Sequence, residues 1–318
     1  MSTGASRPVA VVGLGAMGLA MATRLAQTFP VTGFDPAPAR RELASRAGVE
    51  VCSTPAEAVA GARAVVLAVR DAAQTEVALF GVDGVVTAAD QGAPVLLTGT
   101  IGVTAVRDVG ARLSAAGLAP VDAPVSGGPG RAATGELLIM VGAPADAVQA
   151  ATPVLERLAG RLVVVGPRVG DGQLLKTINQ LLAGVHIAAA AEAIALARAA
   201  GLTPAVVVET LPAGAADSFM LRDRGPRMVE AATNAEAVPV HSRTDIFVKD
   251  LGLVLDLAAD EHVPTPVTAA AHQLYLLAQR HGLGARDDSS IVALLVPPTT
   301  PAQLAGRESA SSSEVAQP

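Results

Sequence analysis

Lysine is almost missing from this chain. Of 318 residues, 23 are cationic, and only Lys176 and Lys249 are lysines; the other 21 are arginines. Aromatic residues are also scarce, at 2% against 51% hydrophobic. The apolar mass is therefore alanine, valine and leucine, which suits close-packed small-residue helices and valine-rich buried strands. The single cysteine, Cys52, excludes an internal disulfide. No cysteine–histidine grouping resembles a zinc site, and His186, His241, His262, His272 and His281 show no ligand spacing. A reduced, cytoplasmic, metal-free protein is expected. Basic runs are absent and the formal charge is −6, which argues against a nucleic-acid partner. A single dinucleotide remains compatible, because backbone dipoles hold it. The stretch MSTGASRPVAVVGLG has no charged region followed by an apolar run and a cleavage site, so no signal peptide is expected. Nor does any uncharged apolar run reach the ~20 residues of a membrane span. The nearest, residues 181–201, is interrupted by His186, Glu192 and Arg198. A helix apolar nearly all round belongs in an interior, between domains or subunits.

A chain of this length can hold two domains with substantial cores. The first half alternates valine-rich runs at 9–13, 31–35, 64–69, 94–99, 118–123, 137–142 and 161–166 with alanine-rich segments suited to crossover helices at 16–27, 36–47, 102–116 and 144–159. This alternation predicts an α/β domain with a mostly parallel sheet covered on both faces. After Pro167 the runs become helical: 172–200, 204–210, 217–232, 244–261, 266–281 and 287–296. Proline and glycine cluster in PRVGDG, which places a boundary there. The expected organisation is a dinucleotide-binding domain over 1–167, an all-helical domain over 168–297 entered through a long helix, and a disordered proline- and serine-rich tail over 298–318.

VAVVGLGAMGLAMATRL sets Gly13, Gly15 and Gly18 in the G-x-G-x-x-G pattern, after a buried strand and ahead of an amphipathic helix. Gly13 permits a tight turn, Gly15 a close backbone approach to a pyrophosphate, and Gly18 close helix–strand packing. The pyrophosphate would sit on the N–H groups of Leu14, Gly15, Ala16 and Met17 at the positive end of the helix. Asp35 ends the second strand, where a carboxylate can accept both adenosine ribose hydroxyls and repel a 2′-phosphate, favouring NAD over NADP. Arg40 and Arg41 follow it on a helix and are expected to be solvated.

Two further segments could carry chemistry. In DAPVSGGPGR, Ser126, Gly127 and Gly128 can present a hydroxyl and consecutive N–H groups to an anion, or form a plain turn. In GDGQLLKTINQLLAG, Lys176, Asn179 and Gln180 fall at i, i+3 and i+4 on one helix face. Gly172, one turn earlier, is read as leaving room for a bulky ligand. The helix is too apolar for a solvated lysine, so Lys176 and Asn179 need partners that a substrate would supply. Arginine stays protonated, whereas lysine can exchange a proton once burial lowers its pKa. Lys249 has a plainer explanation: Thr244 can cap its helix and Asp245 can pair with it at i, i+4.

The glycine fingerprint, DAPVSGG, GDGQLLKTINQ and DIFVKDLGLVLD occur in the order found in the β-hydroxyacid dehydrogenases, and the chain resembles that family over roughly residues 8–296. NQLLAGVHIAAAAEAIALA and DIFVKDLGLVLD are most similar to the L-threonate dehydrogenase branch. The resemblance implies a Rossmann domain joined to an all-α domain and a homodimer or homotetramer built around the long helix. It also implies Lys176 as catalytic lysine, Asn179 and Gln180 beside the substrate, and Ser126, Gly127 and Gly128 on its carboxylate. Thr100 and Lys249 would lie near the nicotinamide, and Val69 and Arg70 on the adenosine side. The chain departs from many members in Val69-Arg70, where they have Leu-Pro, and in Gln180, where they have a second asparagine; the latter bears on substrate range. The implied activity is NAD-dependent oxidation of a small hydroxy acid, with Lys176 as general base and its pKa depressed by desolvation and by Lys249. A four-carbon sugar acid such as L-threonate leads. 3-Hydroxyisobutyrate and tartronate semialdehyde are alternatives; an imine reductase and a non-catalytic NAD-binding regulator are remote ones.

Overall fold

The valine-rich runs pair into one sheet. Its strands are Val9–Val12 (β1), Val31–Phe34 (β2), Glu50–Val51 (β3), Ala64–Leu67 (β4), Pro94–Leu97 (β5), Ala119–Asp122 (β6), Val125–Ser126 (β7), Leu137–Gly142 (β8) and Ala159–Gly166 (β9). The computed structural model describes residues 7–296; the tail expectation for 298–318 lies outside them. The order is β3-β2-β1-β4-β5-β6-β8-β7, with β9 also on β8. β1 to β6 are parallel; β8 runs antiparallel to β6 and β7 and parallel to β9.

Parallel strands buried on both faces need apolar residues at every position, and β1, β4 and β5 have them. Val9 and Val11 join one cluster with Met21, Leu25, Val154 and Leu158. Ala10 and Val12 join the opposite cluster with Leu79, Val106 and Leu113. The helices supplying these faces are Ala16–Ala26 (α1), Pro38–Arg46 (α2), Pro55–Val59 (α3), Ala72–Phe80 (α4), Val103–Ala115 (α5), Gly128–Thr134 (α6) and Ala145–Leu158 (α7). Thr54 and Asp71 cap α3 and α4 through the N–H groups of Glu57 and Gln74, satisfying donors that a helix start leaves unpaired.

Beyond the sheet come Asp171–Ala199 (α8), Pro204–Thr210 (α9), Phe219–Ala231 (α10), Thr244–Asp260 (α11), Pro266–Arg280 (α12) and a 3-10 turn over Asp288–Leu294. α8 ends where Gly201, at φ +83°, lets Leu202 N–H reach back to Ala197 O at 2.9 Å, a glycine C-terminal motif. By length and composition α8 could cross a membrane, so its interrupting charges do not by themselves exclude that; 56% of its most apolar window is buried inside the protein.

The chain divides into two compact units. The first ends at Leu181 and takes in Asp250–Thr265; the second holds Leu182–Lys249 and the residues from Pro266 onward. This division falls inside α8, later than the proline–glycine cluster at 167–171, because the first turns of α8 and much of α11 pack with the sheet unit. The second unit has a buried ionic cluster. Arg224 Nη2 meets Asp288 Oδ2 at 3.0 Å and Arg227 Nε meets Asp287 Oδ1 at 3.1 Å, with both aspartates fully buried. Burial pushes the Asp288 carboxyl up against the pull of Arg224. At Asp287 burial acts upward too, but hydrogen bonds from Ser289, His241 and Ser242, with the charge of Arg227, bring its pKa below the ordinary value.

Candidate active site

Register places the ends of the parallel strands side by side. Val12 pairs with Phe34 and Leu67, Leu67 with Leu97, and Leu97 with Asp122. Gly13, Asp35, Val69, Arg70 and Thr100 therefore follow strand ends along one edge of the sheet. Strand order reverses between β1 and β4, and ligands of open α/β sheets bind at such a reversal.

The three glycines differ in what surrounds them. Gly13 has φ +95°, and a Cβ there would lie 2.6 Å from Ala68 O. A Cβ on Gly18 would lie 1.8 Å from Gly13 O. On Gly15, the N-cap of α1, it would meet nothing within 4 Å. The loop is thus packed at its ends and open in its middle. The first-turn N–H groups of α1 that no helical carbonyl reaches open there, so the residues present fit a dinucleotide phosphate. Leu14 differs from the expectation that its N–H faces the phosphate: it donates to Asp35 Oδ2 at 2.8 Å. Asp35 Oδ1 accepts from Ala37 N at 2.9 Å, so backbone holds the carboxylate in place. Arg41 is not simply solvated, since Nη1 donates to Asp35 O at 2.6 Å. Arg40 is exposed.

On α8 the predicted polar face is a connected cluster. Lys176 is 6% exposed, and its Nζ donates to Gln180 Oε1 at 2.7 Å. Asn179 Nδ2 donates to the same oxygen at 2.9 Å. Gln180 Nε2 donates in turn to Asp250 Oδ2 on α11 at 2.5 Å. One turn earlier, buried Gln173 ties the helix to the loop carrying Thr100: Nε2 donates to Gly99 O at 2.8 Å, and Oε1 accepts from Ile101 N and Gly102 N at 3.1 and 3.2 Å. Asp122 Oδ2, at the end of β6, accepts from Gly170 N and Gln173 N, both at 2.9 Å. Its Oδ1 is buried with no hydrogen-bond partner among the described residues. Burial pushes this carboxyl up to about 6, although the backbone N–H groups of Gln173 and Gly170 pull the other way.

Gly172 does not leave room for a ligand. A Cβ there would lie 2.5 Å from Met140 O and 3.0 Å from Asp122 O; its bare face is where α8 seats on the sheet. Ser126 ends β7, and Gly127 and Gly128 follow at φ +134° and +74°. A Cβ on Gly128 would meet nothing within 4 Å, whereas one on Gly127 would press on Arg131. Thr100 and Val69 are half-buried and Arg70 is exposed, with its N–H donating to Gln74 Oε1 at 3.0 Å. Lys249 is half-buried on α11 and belongs to the second unit. Thr244 is the first residue of its helix, and its hydroxyl donates to Asp287 O at 3.1 Å; Asp245 accepts from Arg243. Asp122, Gln173 and Asp250 were not singled out from sequence. Each lies within a motif quoted above, at its first position for Asp122 and inside it for Gln173 and Asp250, but only long-range contact reveals what it does.

A sheet of this order, with a glycine loop open over its first helix and a buried lysine one turn from the strand-end loops, defines a nicotinamide-dependent oxidoreductase. Comparison with known proteins agrees. Residues 8–166 match the family described as the NAD binding domain of 6-phosphogluconate dehydrogenase, and residues 170–295 that described as NAD-binding of NADP-dependent 3-hydroxyisobutyrate dehydrogenase. L-threonate dehydrogenase of Cupriavidus necator is 41% identical over 288 residues, 90% of this chain and 95% of that protein. NAD-dependent L-serine dehydrogenase of Pseudomonas aeruginosa is 32% identical over 294 residues, 92% and 98% of the two chains. The crystal structure of 3-hydroxyisobutyrate dehydrogenase from Salmonella typhimurium aligns with a TM-score of 0.84 at 34% identity, covering 91% of this chain and 99% of that one. The chain belongs to the 3-hydroxyisobutyrate dehydrogenase family of β-hydroxyacid dehydrogenases and is an NAD(P)-dependent hydroxyacid oxidoreductase.

Proposed function

We propose that the enzyme oxidises L-threonate or a closely similar four-carbon sugar acid, with Lys176 moving the proton. The observation that carries the proton role is a lysine buried at the start of α8, hydrogen-bonded to Gln180 and tied through Gln173 to the Thr100 loop. NAD, when bound, supplies the hydride acceptor at nicotinamide C4. Ser126, Gly127 and Gly128 hold the substrate carboxylate, the two glycines presenting N–H groups that positive φ turns toward an anion. Asn179 orients the substrate, and Gln180 borders the reacting carbon. Neutral Lys176 takes the hydroxyl proton on Nζ as the C–H bond yields its hydride and the C–O bond becomes a carbonyl. In reverse, the ammonium returns that proton to the forming alkoxide. Arginine could hold the anion but could not exchange the proton.

The cofactor side uses Gly13 to Gly18 for the pyrophosphate, with the N–H groups of Gly15, Ala16 and Met17 in place of Leu14, and Asp35 for the adenosine ribose. Val69 and Arg70 flank the adenosine; Thr100 and Lys249 lie toward the nicotinamide. Residues 1–167 act as the cofactor domain and 168–297 as the helical domain that supplies the lysine. Exposed Leu175, Ile178, Leu182 and Leu196 on α8 support assembly into a homodimer or homotetramer of a cytoplasmic enzyme. 3-Hydroxyisobutyrate is the second substrate reading, favoured by the Salmonella likeness.

The test is an NAD-reduction screen over small hydroxy acids, repeated with NADP. L-Threonate should give the highest kcat/KM. Lys176→Arg should lower kcat by ~100-fold or more while NADH affinity stays within a few-fold. Normal turnover in that variant would discard the proton role. No reduction with L-threonate or any other hydroxy acid of the screen, with either cofactor, would refute the substrate reading.

A further inference from the structure

Gln180 sits between two groups that constrain it oppositely. An amide has a donor end and an acceptor end, and its partners decide which way it faces. Asp250, 3% exposed, offers a carboxylate that only accepts, so the amide must turn Nε2 toward it; the contact is 2.5 Å. Oε1 is thereby turned to Lys176 and Asn179, whose N–H groups reach it at 2.7 and 2.9 Å. The flipped amide would set Oε1 against the carboxylate and Nε2 against two donors, a loss at both ends in a buried site.

We propose that Asp250 is a positioning residue for the proton-transferring lysine, acting through the polarity of the Gln180 amide. The inference rests on the proposed role of Lys176. With Oε1 held toward it, Lys176 keeps one N–H on the amide in both protonation states. The neutral amine's lone pair then points away from Gln180, free to face the hydroxyl it deprotonates. Without an acceptor-only partner the amide can turn, Nε2 then competes for that lone pair, and the lysine is held in an unproductive orientation. A glutamine at 180 also reaches further than an asparagine would, which is what lets it span from α8 to Asp250.

The test is a double-substitution cycle in the full-length enzyme, reading kcat, KM and NADH affinity. Asp250→Asn keeps the shape but can present either a donor or an acceptor to the amide. It should lower kcat by about tenfold or more, with KM and NADH affinity within about threefold. In a Gln180→Met background, which has no amide to orient, the same substitution should change kcat by less than about twofold. If the asparagine variant does not fold, Asp250→Ser serves, since a hydroxyl is equally two-sided. Unchanged kcat in Asp250→Asn, or an equal loss in both backgrounds, overturns the proposal. Lys176→Arg assayed alongside separates the failures: an active arginine variant removes the proton role itself, whereas an inactive one beside a fully active Asp250→Asn removes only the positioning.

Discussion

A methyl group added at Gly15 and one added at Gly18 should have opposite consequences. At Gly15 the backbone is at φ −62° and ψ −169°, which any L residue adopts, and the new carbon would touch no protein atom within 4 Å. Gly15→Ala should therefore fold with stability within ~0.5 kcal/mol of the parent, as a substitution that meets nothing does. The open space it enters is where the phosphate must approach the backbone. Displacing one charge-assisted hydrogen bond costs about 1.5–3 kcal/mol, which raises the Kd for NADH roughly 10- to 150-fold. At Gly18 the added carbon would lie 1.8 Å from Gly13 O and 3.1 Å from Ala68 Cβ, and since both the carbonyl and α1 are backbone, neither can rotate away. Gly18→Ala should lose about 1–3 kcal/mol or more of stability through overpacking. NADH fluorescence titration and urea denaturation of both variants give the two readouts. If Gly15→Ala bound NADH as the parent does, or if Gly18→Ala were as stable, the assignment of open middle and packed ends would be wrong.

Asp122 should make stability fall with rising pH. Its folded value, about 6, lies above the ordinary 3.8, so between these values the folded state holds the proton more often than the unfolded chain does. Stability from this group is full below about 4 and is lost as pH rises through about 6, by ~3 kcal/mol at most. Asp122→Asn should gain on the parent by that order between pH 4 and 7 in urea denaturation, and parallel curves would refute it. Arg224→Met should destabilise the helical unit by about 3–5 kcal/mol, because Asp288 is left buried without its closest cation. Adding Asp288→Asn should recover most of that loss, and a single variant as stable as the parent would show the pair to be dispensable.

Much of this architecture is legible in the sequence because buried parallel strands write themselves as unbroken apolar runs and long helices as periodic ones. The seven expected strand regions coincide with β1, β2, β4, β5, β6, β8 and β9. What escaped was short: Glu50–Val51 and Val125–Ser126 as strands, and α3, α4 and α6 as helices. The two-residue strands have no apolar run to mark them, the five- and seven-residue α3 and α6 hold too few turns for a helical period, and α6 is set by the turn at Gly127 and Gly128 rather than by its own pattern. The glycine loop and the Lys176 face were readable as local spacings. The direction of a bare glycine face was not, so Gly172 was misread: glycine looks the same in sequence whether a ligand or a strand fills the gap. Asp250 was invisible for another reason. It lies 70 residues from Gln180 along the chain, and no local pattern joins them. The same return of Asp250–Thr265 to the sheet unit moves the compact division past the proline–glycine cluster.

The tie between Asp35 and the Leu14 N–H has a consequence for cofactor engineering. Under the proposed reading, the carboxylate that discriminates against a phosphorylated ribose also fastens the nucleotide loop to the neighbouring strand. Exchanging it for a small neutral residue would relax selectivity and unlatch the turn together, so any gain in accommodating the bulkier nucleotide would arrive with a looser grip on its diphosphate. Retargeting this scaffold needs a replacement that still accepts from that amide, such as asparagine, with the new cation introduced from the helix that follows.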